Sequence, residues 1–222
     1  MRFQKIAGTS QIIARSSAWN TCNNHKHSMN QSIDIVLLFP LVNRQLIALL
    51  RSLTPEDWKK PTICSQWKVG DIAAHLLDVT LRKLSAGRDR HTWTNPSISS
   101  YEELLSYLNT LNAEWVTATR RLSPRVLTDL LDTACEQFYS YIGTLDPEAP
   151  ALHPVAWAGE AASTNRFDIA RDYTEYWLHQ QQIRLATDNP GLMSRELYYP
   201  VLDIFMQALP HTYRTIEAAE QT

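Results

Sequence analysis

The stretch VGDIAAHLLDVTLRKLSAG, residues 69–87, decides how the fold is read. Its apolar residues recur at spacings of three and four, which marks a helix with one buried face, and Gly87 supplies a stop. His75 shares a face with Ile72 and Val79, while Asp71, Asp78 and Arg82 fall on the other side. The imidazole is therefore expected at the boundary between core and polar surface.

The same periodicity continues outward in both directions. Upstream, LFPLVNRQLIALLRSL (38–53) is helical with Pro40 near its first turn, and TPEDWKKPTICSQW (54–67) is a proline-punctuated loop. Downstream, Ser99 and Glu102 have capping-box spacing at the start of a helix running to about residue 121. Ser123 and Pro124 cap the next, RVLTDLLDTACEQFYSYIGTL, and so short a joint predicts that these two helices are packing neighbours. DPEAPALHPVAWAGEAASTN (146–165) is a long loop with three prolines. A fifth helix is expected over about 166–187 and a last over about 194–217. No alternating strand pattern appears, so the expected fold class is all-α, a four-helix bundle with additional helical elements.

Composition narrows the function classes. The chain has 222 residues, 44% hydrophobic and 20% charged, enough for one core. With 21 basic against 23 acidic residues it lacks the basic footprint of a phosphate-backbone binder, so nucleic acid is not an expected partner. Cys22, Cys64 and Cys135 are far apart and without CxxC spacing, which suggests neither a disulfide framework nor a thiolate zinc site. The longest apolar run, IVLLFPLV at 35–42, falls short of the roughly 20 residues that span a bilayer. A soluble, cytoplasmic protein is expected, with no membrane partner, and a homodimer is compatible with the sequence. Residues 1–31 contain Arg2, Lys5, Arg15 and Lys26 but no acidic residue, and they are rich in Ser, Asn and Thr. An acid-poor transit peptide is one reading; the weak amphipathicity of IAGTSQII favours the other, a disordered N-terminal extension to a single domain over 32–222, with His25 and His27 unstructured.

EYWLHQQQIR (175–184) places Glu175 four residues before His179 on one helical face. Asp168, Glu175, His179, Gln182 and Ala186 form a stripe that is polar along most of its length, and a bundle helix does not bury such a stripe without partners. A solvent ion pair, a polar cap and a metal site are all open readings of Glu175 and His179 alone. Facing His75 across a bundle, they would supply two imidazoles and one carboxylate with a coordination position left over, as in a catalytic zinc site. The Glu-x-x-His pairs of carboxylate di-metal bundles and the HExxH motif are both missing. Cys64 is either a thiol near the metal or, more simply, a small buried residue of the loop before the second helix; Trp58 and Trp67 are most simply packing anchors, and His153 and Trp157 could line a pocket. Arg171 and Arg184 either hold a carboxylate or pair with Asp168 and Asp172.

LTPEDWKKPTICSQWKVGDIAAHLLD (53–78) resembles the opening of the DinB-like metal-binding bundles, and within them the N-terminal domain of mycothiol-dependent maleylpyruvate isomerases. Leu53, Thr54, Pro55, Trp58, Pro61, Thr62, Cys64, Trp67, Asp71 and His75 all match that family's pattern. Glu175 with His179 is similar to its second metal motif, where the general DinB pattern has two histidines. The resemblance spans about 34–187. It implies a divalent metal, most simply Zn, held by His75, Glu175 and His179, with a low-molecular-weight thiol as co-substrate and a small-molecule substrate. The family's isomerases add a C-terminal domain to the active site, so the resemblance implies the metal-binding bundle more directly than the isomerisation itself. The other function class it leaves open is a non-enzymatic metal-binding or stress-related bundle.

Overall fold

The computed structural model describes residues 34–93 and 96–216; the expected extension, with Cys22, His25 and His27, lies outside them. Seven α-helices and no strand occur among the described residues, so the fold is all-α. They are α1 (Phe39–Ser52), α2 (Val69–Lys83), α3 (Tyr101–Thr119), α4 (Pro124–Ile142), α5 (Asn165–Thr187), α6 (Arg195–Gln207) and the single turn α7 (Leu209–Thr212). Both α1 and α2 pack against α4 and against α5, which closes a four-helix bundle, while α3 and α6 lie outside it. Phe39 marks the centre, with the rings of Phe138 and Tyr173 each 5.6 Å away and that of Tyr176 5.7 Å away, all near edge-to-face.

Pairings along α2 and α5 show that the two helices run antiparallel. His75 faces His179, Thr80 shares a hydrogen bond with the Tyr176 hydroxyl, and Lys83 reaches Asp168 and Asp172. The polar stripe on α5 is thus the seam of this helix pair, and the partners its charge requires come from α2.

The local signals hold in outline and differ in detail. Pro124 begins α4 behind Ser123, whose hydroxyl accepts from the Val126 amide at 3.3 Å. At α3 the cap is one residue later than expected. Ser100 accepts from the Glu103 amide at 3.1 Å, and the Glu103 carboxylate accepts from the Ser99 amide at 2.7 Å. Two serines followed by two glutamates satisfy the spacing in either register. Gly87 does not stop α2, because a π-turn, Leu84–Arg88, extends it and positive φ first appears at Arg90. Instead Gly87 gives room to Tyr141, whose hydroxyl would lie 2.5 Å from a Cβ there.

The short joint between α3 and α4 does not make them neighbours. α3 packs on α2, donating from the Trp115 indole to the Ala74 carbonyl at 2.9 Å and placing Asn112 against Arg82 at 3.2 Å. The final helix is also shorter than expected. Pro210 has no N–H for the Met206 carbonyl, so α6 ends at Gln207 and a separate turn follows. The segment Ile35–Ser52 is, by length and composition, long and apolar enough to cross a membrane, contrary to the reading of its apolar run. Here Leu38, Phe39, Val42, Leu46, Ile47, Leu49 and Leu50 are spent on the core.

Candidate metal centre

His75 lies midway along α2, on a helix enclosed by three neighbours rather than two. α3 covers the side on which the sequence placed polar surface, so Asp71, His75 and Asp78 are all buried and His75 is only 4% exposed. The expected boundary position is corrected by that covering helix. Asp71 survives burial by closing the N-terminus of α2, accepting from the Lys68 amide at 3.0 Å. Asp78 pairs with Arg82 at 2.9 Å.

Across the seam, one turn of α5 presents Glu175 and His179. The two imidazole centroids are 4.7 Å apart at a steep angle, and Glu175 Oε2 is 3.6 Å from His179 Nε2. One donor atom from each of His75, Glu175 and His179 falls within 4.8 Å of the others. That spread is somewhat wider than the ~3.4 Å between donors around a tetrahedral zinc with bonds of about 2.1 Å. Glu175, with its side chain 42% exposed, is the member free to close the difference.

The donor set fits a divalent cation on independent grounds. Nδ1 of His75 is buried and has no hydrogen-bond partner in the protein, an unsatisfied polar atom of the kind that a bound ligand relieves. Burial pushes the His75 imidazole well below its ordinary range, and His179 and Arg82 push it further, against the hydrogen bonding of Asn112. A neutral imidazole is the ligand form.

That depressed imidazole has a consequence for stability. The unfolded chain binds a proton at His75 below pH 6.5 whereas the folded chain does not, so stability is present above 6.5 and is lost as pH falls through it. In chelator-treated protein, urea unfolding at pH 7.5, 6.5 and 5.5 should show an added loss of up to ~1.4 kcal/mol per pH unit. His75→Gln should remove that component, and equal slopes in both proteins would refute it.

Several neighbours have roles the sequence did not show. Trp67, expected only to anchor the loop, walls both imidazoles, its ring 4.8 Å from that of His75 and 6.2 Å from that of His179. Cys64, for which the sequence offers both a thiol near the metal and a buried packing residue, is half-buried near Gln182 and Glu175; burial pushes its thiol up, Gln182 opposes this and Glu175 adds to it. Gln182 Oε1 is 2.8 Å from His179 Nδ1. The spacing of three between His179 and Gln182 is the available signal for that contact; Trp67 and Cys64 lie in the loop 8 and 11 residues before His75, where no helical periodicity relates them to it.

Other candidates fall elsewhere. Arg171 pairs with Asp168, and with Asp172 at 3.2 Å. Arg184 donates to the Asn189 carbonyl at 3.2 Å, closing the end of α5. Trp157 packs on Phe167 and Phe205, tying the long loop to α6. His153 is exposed and belongs near Lys83, Asp168 and Arg171.

Residues 39–184 match the family model of the mycothiol maleylpyruvate isomerase N-terminal domain. No curated protein and no solved structure matches the chain. The family match takes in the loop with Cys64 and Trp67, the whole of α2 and both motifs of the site, on the all-α bundle just described. The chain belongs to the family of the mycothiol maleylpyruvate isomerase N-terminal domain, a DinB-like family.

Proposed function

We propose that His75, Glu175 and His179 hold one divalent cation, zinc by the chemistry of two imidazoles and a carboxylate, and that the protein is a metal-dependent transferase or isomerase. Its substrates would be a low-molecular-weight thiol, or water, and a small electrophile. The observation that carries this reading is the convergence of the three donors from two antiparallel helices in a chain of this family. Bound there, the cation would supply Lewis acidity, lowering the pKa of a coordinated thiol or water toward neutrality. The chain's own contribution is positional. The two buried imidazoles are fixed donors, Trp67 excludes water from their side, and the half-exposed Glu175 marks the direction of approach. The free thiols of Cys64 and Cys135 suit a reducing, cytoplasmic setting.

The test is a panel of small electrophiles with added thiols, read as thiol consumption by zinc-loaded protein. A rate that needs both thiol and zinc, and that disappears in His75→Ala while helix content is retained, is expected. Zinc binding without any such rate would favour the non-enzymatic metal-binding reading.

A further inference from the structure

The contact between His179 and Gln182 does more than satisfy two side chains. A neutral imidazole carries one proton on either Nδ1 or Nε2, and the partner of one nitrogen decides the state of the other. Here Nδ1 meets the Gln182 carboxamide oxygen at 2.8 Å, while Nε2 is the nitrogen turned toward Glu175. An amide oxygen only accepts, so that contact requires Nδ1–H. Nε2 is then left with its lone pair on the side of His75 and Glu175. Gln182 is itself half-buried on the same face of α5 as His179.

We propose that Gln182 is a positioning residue that locks His179 as its Nδ1–H tautomer and thereby keeps Nε2 available as a ligand. Outer partners of this kind orient metal-bound histidines and raise their basicity, and their loss costs about 10–100-fold in metal affinity. The proposal rests on the metal reading only for its purpose; the tautomer itself is a property of the metal-free chain.

Two measurements test it separately. Long-range 1H–15N spectra of the chelator-treated protein at pH 8 should show His179 protonated at Nδ1 in the wild type and in Gln182→Glu, which keeps an acceptor. In Gln182→Leu the proton should move at least partly to Nε2, where Glu175 can accept it. A wild-type His179 protonated at Nε2, or an unchanged tautomer in Gln182→Leu, overturns the proposal. Zinc titration should then show affinity lowered about 10–100-fold in Gln182→Leu and restored in Gln182→Glu. The expected tautomers without zinc binding by the wild type would leave this assignment standing and remove the metal site instead. Wild-type zinc binding with no loss in Gln182→Leu would overturn the positioning role.

Discussion

Zinc titrated into chelator-treated protein should bind at about one ion per chain, and His75→Ala or His179→Ala should each weaken that binding by more than about 100-fold, beyond the range set by outer-shell partners. The reason is the small number of donors. In the proposed site three side chains would supply every protein ligand, so each histidine removed would take a third of the set, and the remaining pair would lie on one helix or span the seam without a third point. Glu175→Gln should have a smaller effect, because an amide oxygen still coordinates while the charge is lost. His75 and His179 are both buried, so each alanine also opens space in the seam. Circular dichroism on every variant separates lost ligation from lost fold, and cobalt substitution reports the donor set directly. Undiminished zinc affinity in folded His75→Ala and His179→Ala would remove the site assignment.

How much of this was legible beforehand depends on how local each feature is. The presence of the helices, though not all of their ends, the Ser123–Pro124 start of α4 and the i, i+4 pairing of Glu175 with His179 depend on neighbours within a turn, and these appear in the structure as expected. What could not be read is which surface of each helix meets which neighbour. The periodicity of α2 implies two faces, yet α3 covers a third side and buries Asp71, His75 and Asp78. Two serines before two glutamates hid the register of the α3 cap. At the site, the i, i+4 and i, i+3 contacts of His179 with Glu175 and Gln182 follow from helix geometry, whereas Trp67 against His75 and Cys64 against Gln182 exist only once loop and bundle are assembled. Likewise, the stripe on α5 predicted that partners for its charge must exist, and only the folded pair of helices identifies Lys83 as one of them.

Lys83→Met should destabilise the protein by about 3–5 kcal/mol, the range for removing one member of a buried ionic group. For a chain of this size that corresponds to a fall in Tm of roughly 10 °C. Lys83 Nζ lies 2.7 Å from Asp168 and 3.0 Å from Asp172, while Arg171 bonds to both carboxylates, so two cations and two anions balance within the seam. All four side chains are no more than 23% exposed. Burial pushes the Asp172 carboxyl above its ordinary range, and Lys83 and Arg171 pull it back only in part, so the group as a whole adds little net stability. Its weight appears when the balance is broken. Without Lys83, two desolvated carboxylates share Arg171; without Asp172, two cations share Asp168. The double variant Lys83→Met with Asp172→Leu removes one charge of each sign and leaves the Arg171–Asp168 pair intact. Its cost should be well below the sum of the single costs, because neighbouring members of one network are not additive. Urea unfolding of the three variants in the presence of chelator measures this without contribution from bound metal. Additive losses, or a loss below about 1 kcal/mol for Lys83→Met, the scale of an exposed pair, would show that solvent already screens these charges and that they do not hold α2 against α5.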